Sequence, residues 1–242
     1  MSHKIFAGKT DIGLKRTKNE DEFVINPEQD FCLAADGVGG AAAGELASRI
    51  FAESALETFS GKPNRSANSI KSRVRKAFQL ANVNVHKHVI HNPKHKGMGC
   101  TAELLAFSDE DFILGHIGDS RTYRLRKGLL EQLTQDHTLV QQQLDEGLIS
   151  RENVKQHPLR NVIFRAVGLT EEIDPDLLKG KTYSGDLFLL CSDGLTDLVR
   201  DDQIQEILCS DSDIQSKAQE LIEKANDAGG YDNITVVLAL VN

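Results

Sequence analysis

Two apolar runs of strand length end in a carboxylate followed by glycine. Phe31-Cys32-Leu33-Ala34-Ala35 breaks at Asp36-Gly37, and Leu187-Phe188-Leu189-Leu190-Cys191 breaks at Ser192-Asp193-Gly194. Each run is long enough for a buried strand, and each delivers one acidic side chain to the strand end. The glycine lets the backbone turn and brings a carbonyl close to whatever the carboxylate binds. Asp232 precedes a third apolar run, Ile234–Val241, and Asp119 follows a fourth, Phe112–Ile117. Asn19, Glu20 and Asp21 form a polar knot before Phe23. A lone Asp-Gly is ordinarily a turn and nothing more. Several acids converging between strands would repel one another and resist ionisation, and hard divalent cations with oxygen shells are the simplest neutraliser.

Further strands are expected at Thr101–Phe107, Ile5–Gly8, Glu22–Ile25, Arg121–Arg126 and Leu129–Leu133, with Lys127-Gly128 suited to a hairpin turn between the last two. Apolar residues at helical spacing predict three helices. The stripes are Ala47, Phe51, Ala55 and Phe59; Ile70, Val74, Phe78, Ala81, Val85 and Val89; and Ile214, Ala218, Leu221, Ile222 and Ala225. This order lacks the regular strand–helix beat of a doubly wound sheet, so two packed sheets covered by helices are expected. With 242 residues, 40% of them hydrophobic, the chain is read as a single domain spanning 1–242, its only linker-like stretch being Ser60–Ser69.

No run of about eighteen apolar residues occurs and the first residues carry no apolar signal segment, so a soluble, cytoplasmic protein with no membrane contact is expected. Cys32, Cys100, Cys191 and Cys209 lack zinc-site spacing and are read as reduced and mainly buried. A formal charge of −8 argues against a nucleic-acid partner. The charge is uneven: Gly61 to Lys96 holds nine Lys or Arg and no acid, while Asp197 to Asp227 holds nine acids and three bases. Two solvated faces are the ordinary reading, and a docking surface is the alternative.

Other chemistries fail against the letters. The residues six after the four cysteines are Val38, Ala106, Asp197 and Gln215, none an arginine that could close a phosphate loop over a thiolate. The glycine-rich stretch at 39–44 leads to Glu45-Leu46 and lacks the lysine of a nucleotide-binding loop. His86, His88, His91 and His95 scatter around a helix with about 3.6 residues per turn, so they are expected to be exposed and not to hold zinc.

Six motifs occur in order: Gly13 through Asp21, Ala35-Asp36-Gly37-Val38-Gly39-Gly40, Gly97-Met98-Gly99-Cys100-Thr101, Gly118-Asp119-Ser120-Arg121, Cys191-Ser192-Asp193-Gly194 and Asp232-Asn233-Ile234-Thr235. Together with Leu133-Thr134-Gln135-Asp136-His137 and Arg165-Ala166-Val167-Gly168, this set resembles the bacterial branch of the PP2C-like, metal-dependent Ser/Thr phosphatases from Asp11 to Val241. The resemblance implies an α+β fold, a four-layer αββα sandwich of two antiparallel sheets flanked by helices, with metals at one end between the sheets. It implies two Mn²⁺ or Mg²⁺ ions per site and a third, weaker one.

By the same resemblance Asp36 bridges two ions, the Gly37 carbonyl is a further ligand, and Asp193 and Asp232 hold the second ion. Asp119 helps Asp193 hold the third. Glu20 orients water, Arg16 grips the substrate phosphate, and the segment at about 139–157 is a mobile flap. The implied reaction is hydrolysis of phosphoserine and phosphothreonine by a water or hydroxide bridging the two metals, without a covalent intermediate. Val38 stands where some relatives have a histidine suited to protonating the leaving oxygen, and His137 is the nearest substitute. Implied partners are phosphorylated proteins, substrates of a bacterial Ser/Thr kinase, and the kinase itself; the basic tract would then dock acidic phosphoproteins, and a monomer is expected. The alternative is a phosphatase-like fold that has lost turnover and serves as a binding or signalling module; an intact set of Asp36, Asp193, Asp232 and Arg16 disfavours it.

Overall fold

The computed structural model describes residues 3–39, 43–154 and 157–242. Met1, Ser2, Gly40, Ala41, Ala42, Lys155 and Gln156 lie outside the described residues, so part of the glycine-rich stretch at 39–44 and of the expected flap does too. Among the described residues, strands β1 (Lys4–Asp11), β11 (Ile234–Val241), β10 (Leu187–Cys191), β7 (Arg121–Arg126) and β8 (Leu129–Gln132) lie side by side in one antiparallel sheet. The other sheet runs β2 (Asp21–Asn26), β3 (Phe31–Val38), β5 (Ala102–Phe107), β6 (Asp111–Ile117) and β9 (Asp176–Lys181), with β4 (Gly99–Cys100) paired to the end of β3.

Side chains alternate across each strand, and the burial follows that period of two. On β3, Phe31, Leu33 and Ala35 pack outward under helices α1 (Gly44–Thr58) and α2 (Ala67–His91), whereas Cys32 and Ala34 face the other sheet. On β10 and β11, Leu187, Leu189, Val236 and Leu238 pack outward with residues of α5 (Asp193–Thr196), α6 (Asp201–Cys209) and α7 (Ile214–Asp227), while Phe188, Leu190, Val237 and Ala239 fill the space between sheets. The result is the expected αββα sandwich. Phe188 joins the sheets, its ring centroid lying 5.6 Å from Phe107 and 5.0 Å from Phe112. Truncating such a buried ring to alanine costs about 3–5 kcal/mol.

Local signals set the helix starts. Ser66 accepts from the Ser69 amide ahead of α2, and Asp213 accepts from the Gln215 and Ser216 amides ahead of α7. Capping of this kind is worth about 1 kcal/mol each.

The histidine expectation needs correction: His86, His88 and His95 are half-buried and only His91 is exposed. His88 Nε2 meets His95 Nδ1 at 2.8 Å, because a short turn at Pro93–His95 folds back on the last turn of α2. Cys32, Cys100 and Cys191 are buried free thiols, and Cys209 is an exposed one. Among the described residues no helix is long and apolar enough to cross a membrane.

Candidate active site

The period of two puts Asp36 on the face of β3 that looks across to the other sheet, in step with Cys32 and Ala34. Asp21 lies directly opposite it on β2. Like charges in that position are destabilising, so this end of the sheet is built at a cost to the fold. Asp193 follows β10 at the start of α5, Asp119 follows β6 after Gly118, and Asp232 stands just ahead of β11. Gly37 has a steric reason to be glycine: a Cβ there would lie 2.4 Å from the Gly44 backbone and 2.7 Å from the Glu20 carbonyl.

Arg16, Glu20, Asp36, Gly37, Asp119, Asp193 and Asp232 all line one cavity of about 290 Å³, together with Val38, Gly39, Asn161, Ile163 and Asn233. Burial, followed by the charges of Asp21, Asp193, Asp119 and Asp232, pushes the Asp36 carboxyl well above the usual carboxylate range. Asp193 is pushed well above it by burial and by Asp119, Asp197, Asp232 and Asp21. Burial and acidic neighbours raise Asp119 to about 7, and burial raises Asp21 to about 6. Glu20 is also raised, by burial and then by Glu45. Arg16 at the mouth donates to Asp232 Oδ2 at 2.6 Å.

These residues suit divalent cations. Asp193 Oδ1 and Asp21 Oδ1 are buried with no hydrogen-bond partner, and an orphaned buried carboxylate oxygen calls for a cation or a proton. Among the described residues, however, no three Asp, Glu, His or Cys side chains close into a ready-made cage. The acids line the cavity without gathering on a point, the arrangement that mutual repulsion favours.

Three further residues, given no individual role by the sequence, shape the site. Asp21 is held by Ser192, whose Oγ donates to Asp21 Oδ2 at 2.8 Å. Its place in the alternation of Asp21 with Phe23 was the available signal. Asn233 ties the loop carrying Arg16 and Glu20: its amide donates to the Ile12 and Lys18 carbonyls at 3.0 and 2.9 Å, and its oxygen accepts from the Glu20 N–H at 2.8 Å. Asp197 shares a smaller cavity of about 150 Å³ with Asp119 and Asp193.

That smaller cavity lies against the expected flap, which holds α3 (Leu139–Asp145) and α4 (Arg151–Val154) and contributes Val140, Gln141 and Val154 to the lining. His137, at the flap's root, is buried. Its Nδ1 accepts from the Gly118 amide at 3.0 Å, and its Nε2 sits 2.7 Å from Arg165 Nη1 and 3.3 Å from Asp176 Oδ2. Burial, then the charges of His116 and Arg165, push its pKa down to about 4. A neutral ring with both nitrogens engaged is poorly placed to give up a proton.

A two-sheet sandwich with a carboxylate-lined cavity at one end, beside a cation at its mouth, defines a class of proteins built to manage divalent ions and an anionic ligand. Relatives in sequence and structure narrow that class. A family model described as protein phosphatase 2C matches residues 15–229. The chain is 36% identical over 236 residues to protein phosphatase PhpP of Streptococcus pneumoniae, covering 96% of each. It is 38% identical over 234 residues to the Ser/Thr protein phosphatase PstP of Mycobacterium tuberculosis, covering 97% of this chain and 44% of that one. The crystal structure of M. tuberculosis PstP superimposes with a TM-score of 0.93 over 100% of both chains at 36% identity. That of the PstP catalytic domain in complex with two manganese ions superimposes at 0.90, also at 36% identity, over 100% and 99% of the chains. The chain belongs to the protein phosphatase 2C family.

Proposed function

We infer that this protein hydrolyses phosphoserine and phosphothreonine in proteins and uses two divalent ions, Mn²⁺ or Mg²⁺, as its resident cofactor. The observation that carries the reading is the pair of half-buried acids Asp36 and Asp193 in one cavity with Arg16, Asp193 keeping a buried oxygen without a partner. Asp36, the Gly37 carbonyl, Asp193 and Asp232 would hold the two ions, and Asp119, Asp193 and Asp197 a third. When bound, such ions neutralise the carboxylates, act as Lewis acids toward phosphoryl oxygen and lower the pKa of water.

The chain's own groups do the rest. Arg16 offers a planar fork of donors to a phosphoryl group, and its side chain is 53% exposed, so substrate can reach it. Glu20, fixed through Asn233, faces the same cavity and can accept a proton from water. Segment 139–157 would act as a flap over the smaller cavity within a single domain spanning the chain.

The partners of this reading are phosphorylated proteins and the Ser/Thr kinase that makes them, met in the cytoplasm by a monomer. An inactive binding module is disfavoured, because the acids and Arg16 share one cavity. The test is phosphate release from matched phosphothreonine and phosphotyrosine peptides with Mn²⁺. Turnover of the first alone supports the reading, and turnover of the second alone contradicts it.

A further inference from the structure

A second cavity, about 420 Å³, opens beside the candidate active site and shares Asn161, Asp193 and Asp232 with it. A phosphoresidue seated beside Arg16 therefore has this cavity as its neighbour, across Asp193 and Asp232. Its lining also carries Leu198 and Tyr231, with Arg160 and Asp197 of opposite charge.

Tyr231 is 61% exposed. Gly229 has φ 130°, and a Cβ there would stand 2.8 Å from Tyr231 Cζ and 2.9 Å from Cε2, so the ring rests on bare glycine backbone. A ring seated against backbone on one side and open to water on the other offers a large apolar face to a ligand. Leu198, between α5 and α6, is half-buried and packs against the core beneath those helices. The other side chains of the lining, Arg160, Asn161, Asp193, Asp197 and Asp232, are polar, so Tyr231 and Leu198 are its apolar pair.

We propose that Tyr231 and Leu198 form a subsite for an apolar side chain flanking the phosphorylated serine or threonine of a protein substrate. The proposal rests on the phosphatase reading and specifies its substrate class. Covering one ring face and the adjoining leucine with a leucine-sized group corresponds to about a tenfold gain in kcat/KM.

The experiment compares a phosphothreonine peptide flanked on both sides by leucine with its glycine-flanked counterpart, on the Mn²⁺-loaded protein. The leucine-flanked peptide is expected to be preferred by about tenfold. Tyr231→Ala should bring the ratio close to one, while Tyr231→Phe should keep it, since the ring and not the hydroxyl provides the contact. As an exposed residue, Tyr231 can be truncated without unfolding the chain. Equal kcat/KM for the two peptides, or a preference that survives Tyr231→Ala, overturns the subsite while leaving the phosphatase reading intact. A protein that turns over neither peptide overturns both.

Discussion

Asp21 and Asp36 face each other across β2 and β3 at the end of the sheet that lines the candidate site. Asp21 accepts from Ser192 Oγ on the opposite sheet, so one carboxylate is fixed by a hydroxyl while its neighbour presses a like charge against it. Asp21 and Asp119 have pKa values raised to about 6 and about 7 against 3.8. A carboxyl raised in this way contributes stability that is present below the unfolded value and is lost as pH rises through the folded one. Metal-free protein should therefore lose stability between about pH 4 and pH 7. Asp21→Asn should flatten the part of that loss that falls between about pH 4 and pH 6 and raise Tm at pH 7 by a few degrees, about 1 kcal/mol. Thermal melts across pH in the presence of chelator check this, and a lower Tm for the variant at pH 7 would contradict it. His137 contributes with the opposite sign, its stability present above 6.5 and lost as pH falls through about 4, so the variant and not the raw profile is decisive.

Arg16 and Asp232 are joined in this structure, and the second Asp232 oxygen accepts from the Asn233 amide at 2.8 Å. Arg16 reaches Asp232 through Nη2, so a phosphoryl group would compete with Asp232 for that donor. Arg16→Ala should lower kcat/KM for a phosphothreonine peptide by about 10–100-fold, the worth of a charge-assisted hydrogen bond, chiefly through KM. Metal affinity measured by calorimetry should hold or tighten, because Asp232 is released. Unchanged kcat/KM would remove Arg16 from phosphate recognition.

His137 is bound into the network of Gly118, Arg165 and Asp176, so it is not expected to protonate the leaving oxygen. His137→Gln should leave the ratio of peptide to p-nitrophenyl phosphate turnover within about twofold of the parent, since general acid catalysis, worth about 10²–10⁴-fold, would appear as a peptide-specific loss. Val38 lines the cavity, and Val38→His should alter the pH dependence for peptide alone. A peptide-specific loss in His137→Gln with metal affinity intact would make His137 the acid.

Much of this fold was legible because its central strands are apolar on both faces. Leu187–Cys191 and Ile234–Val241 begin and end where their apolar runs do. β9 was not legible: Asp176–Lys181 reads Asp-Leu-Leu-Lys-Gly-Lys, an edge strand partly open to solvent with no run or alternation to mark it. α6 escaped because Ile204, Ile207 and Leu208 make too short a stripe. In the site, the acids that end apolar runs were visible, since each breaks a strong pattern. Asp21, Asn233 and Asp197 were less visible because their work depends on partners from distant parts of the chain, such as Ser192 for Asp21 and the Glu20 loop for Asn233.

Carboxylates acting through divalent ions should make turnover follow the metal. The direct measurement is phosphate release from a phosphothreonine peptide by the parent protein and Asp193→Asn, each with Mn²⁺, then with chelator, then with Mn²⁺ restored. Asparagine keeps the shape of Asp193 and removes the charge whose Oδ1 is buried without a partner. Parental activity should vanish with chelator and return with Mn²⁺, and the folded variant should be at least about a hundredfold slower, since losing residues that only support metal ligands already costs about 10–100-fold. Turnover that persists in chelator, or an Asp193→Asn rate within twofold of the parent at saturating Mn²⁺, would contradict it.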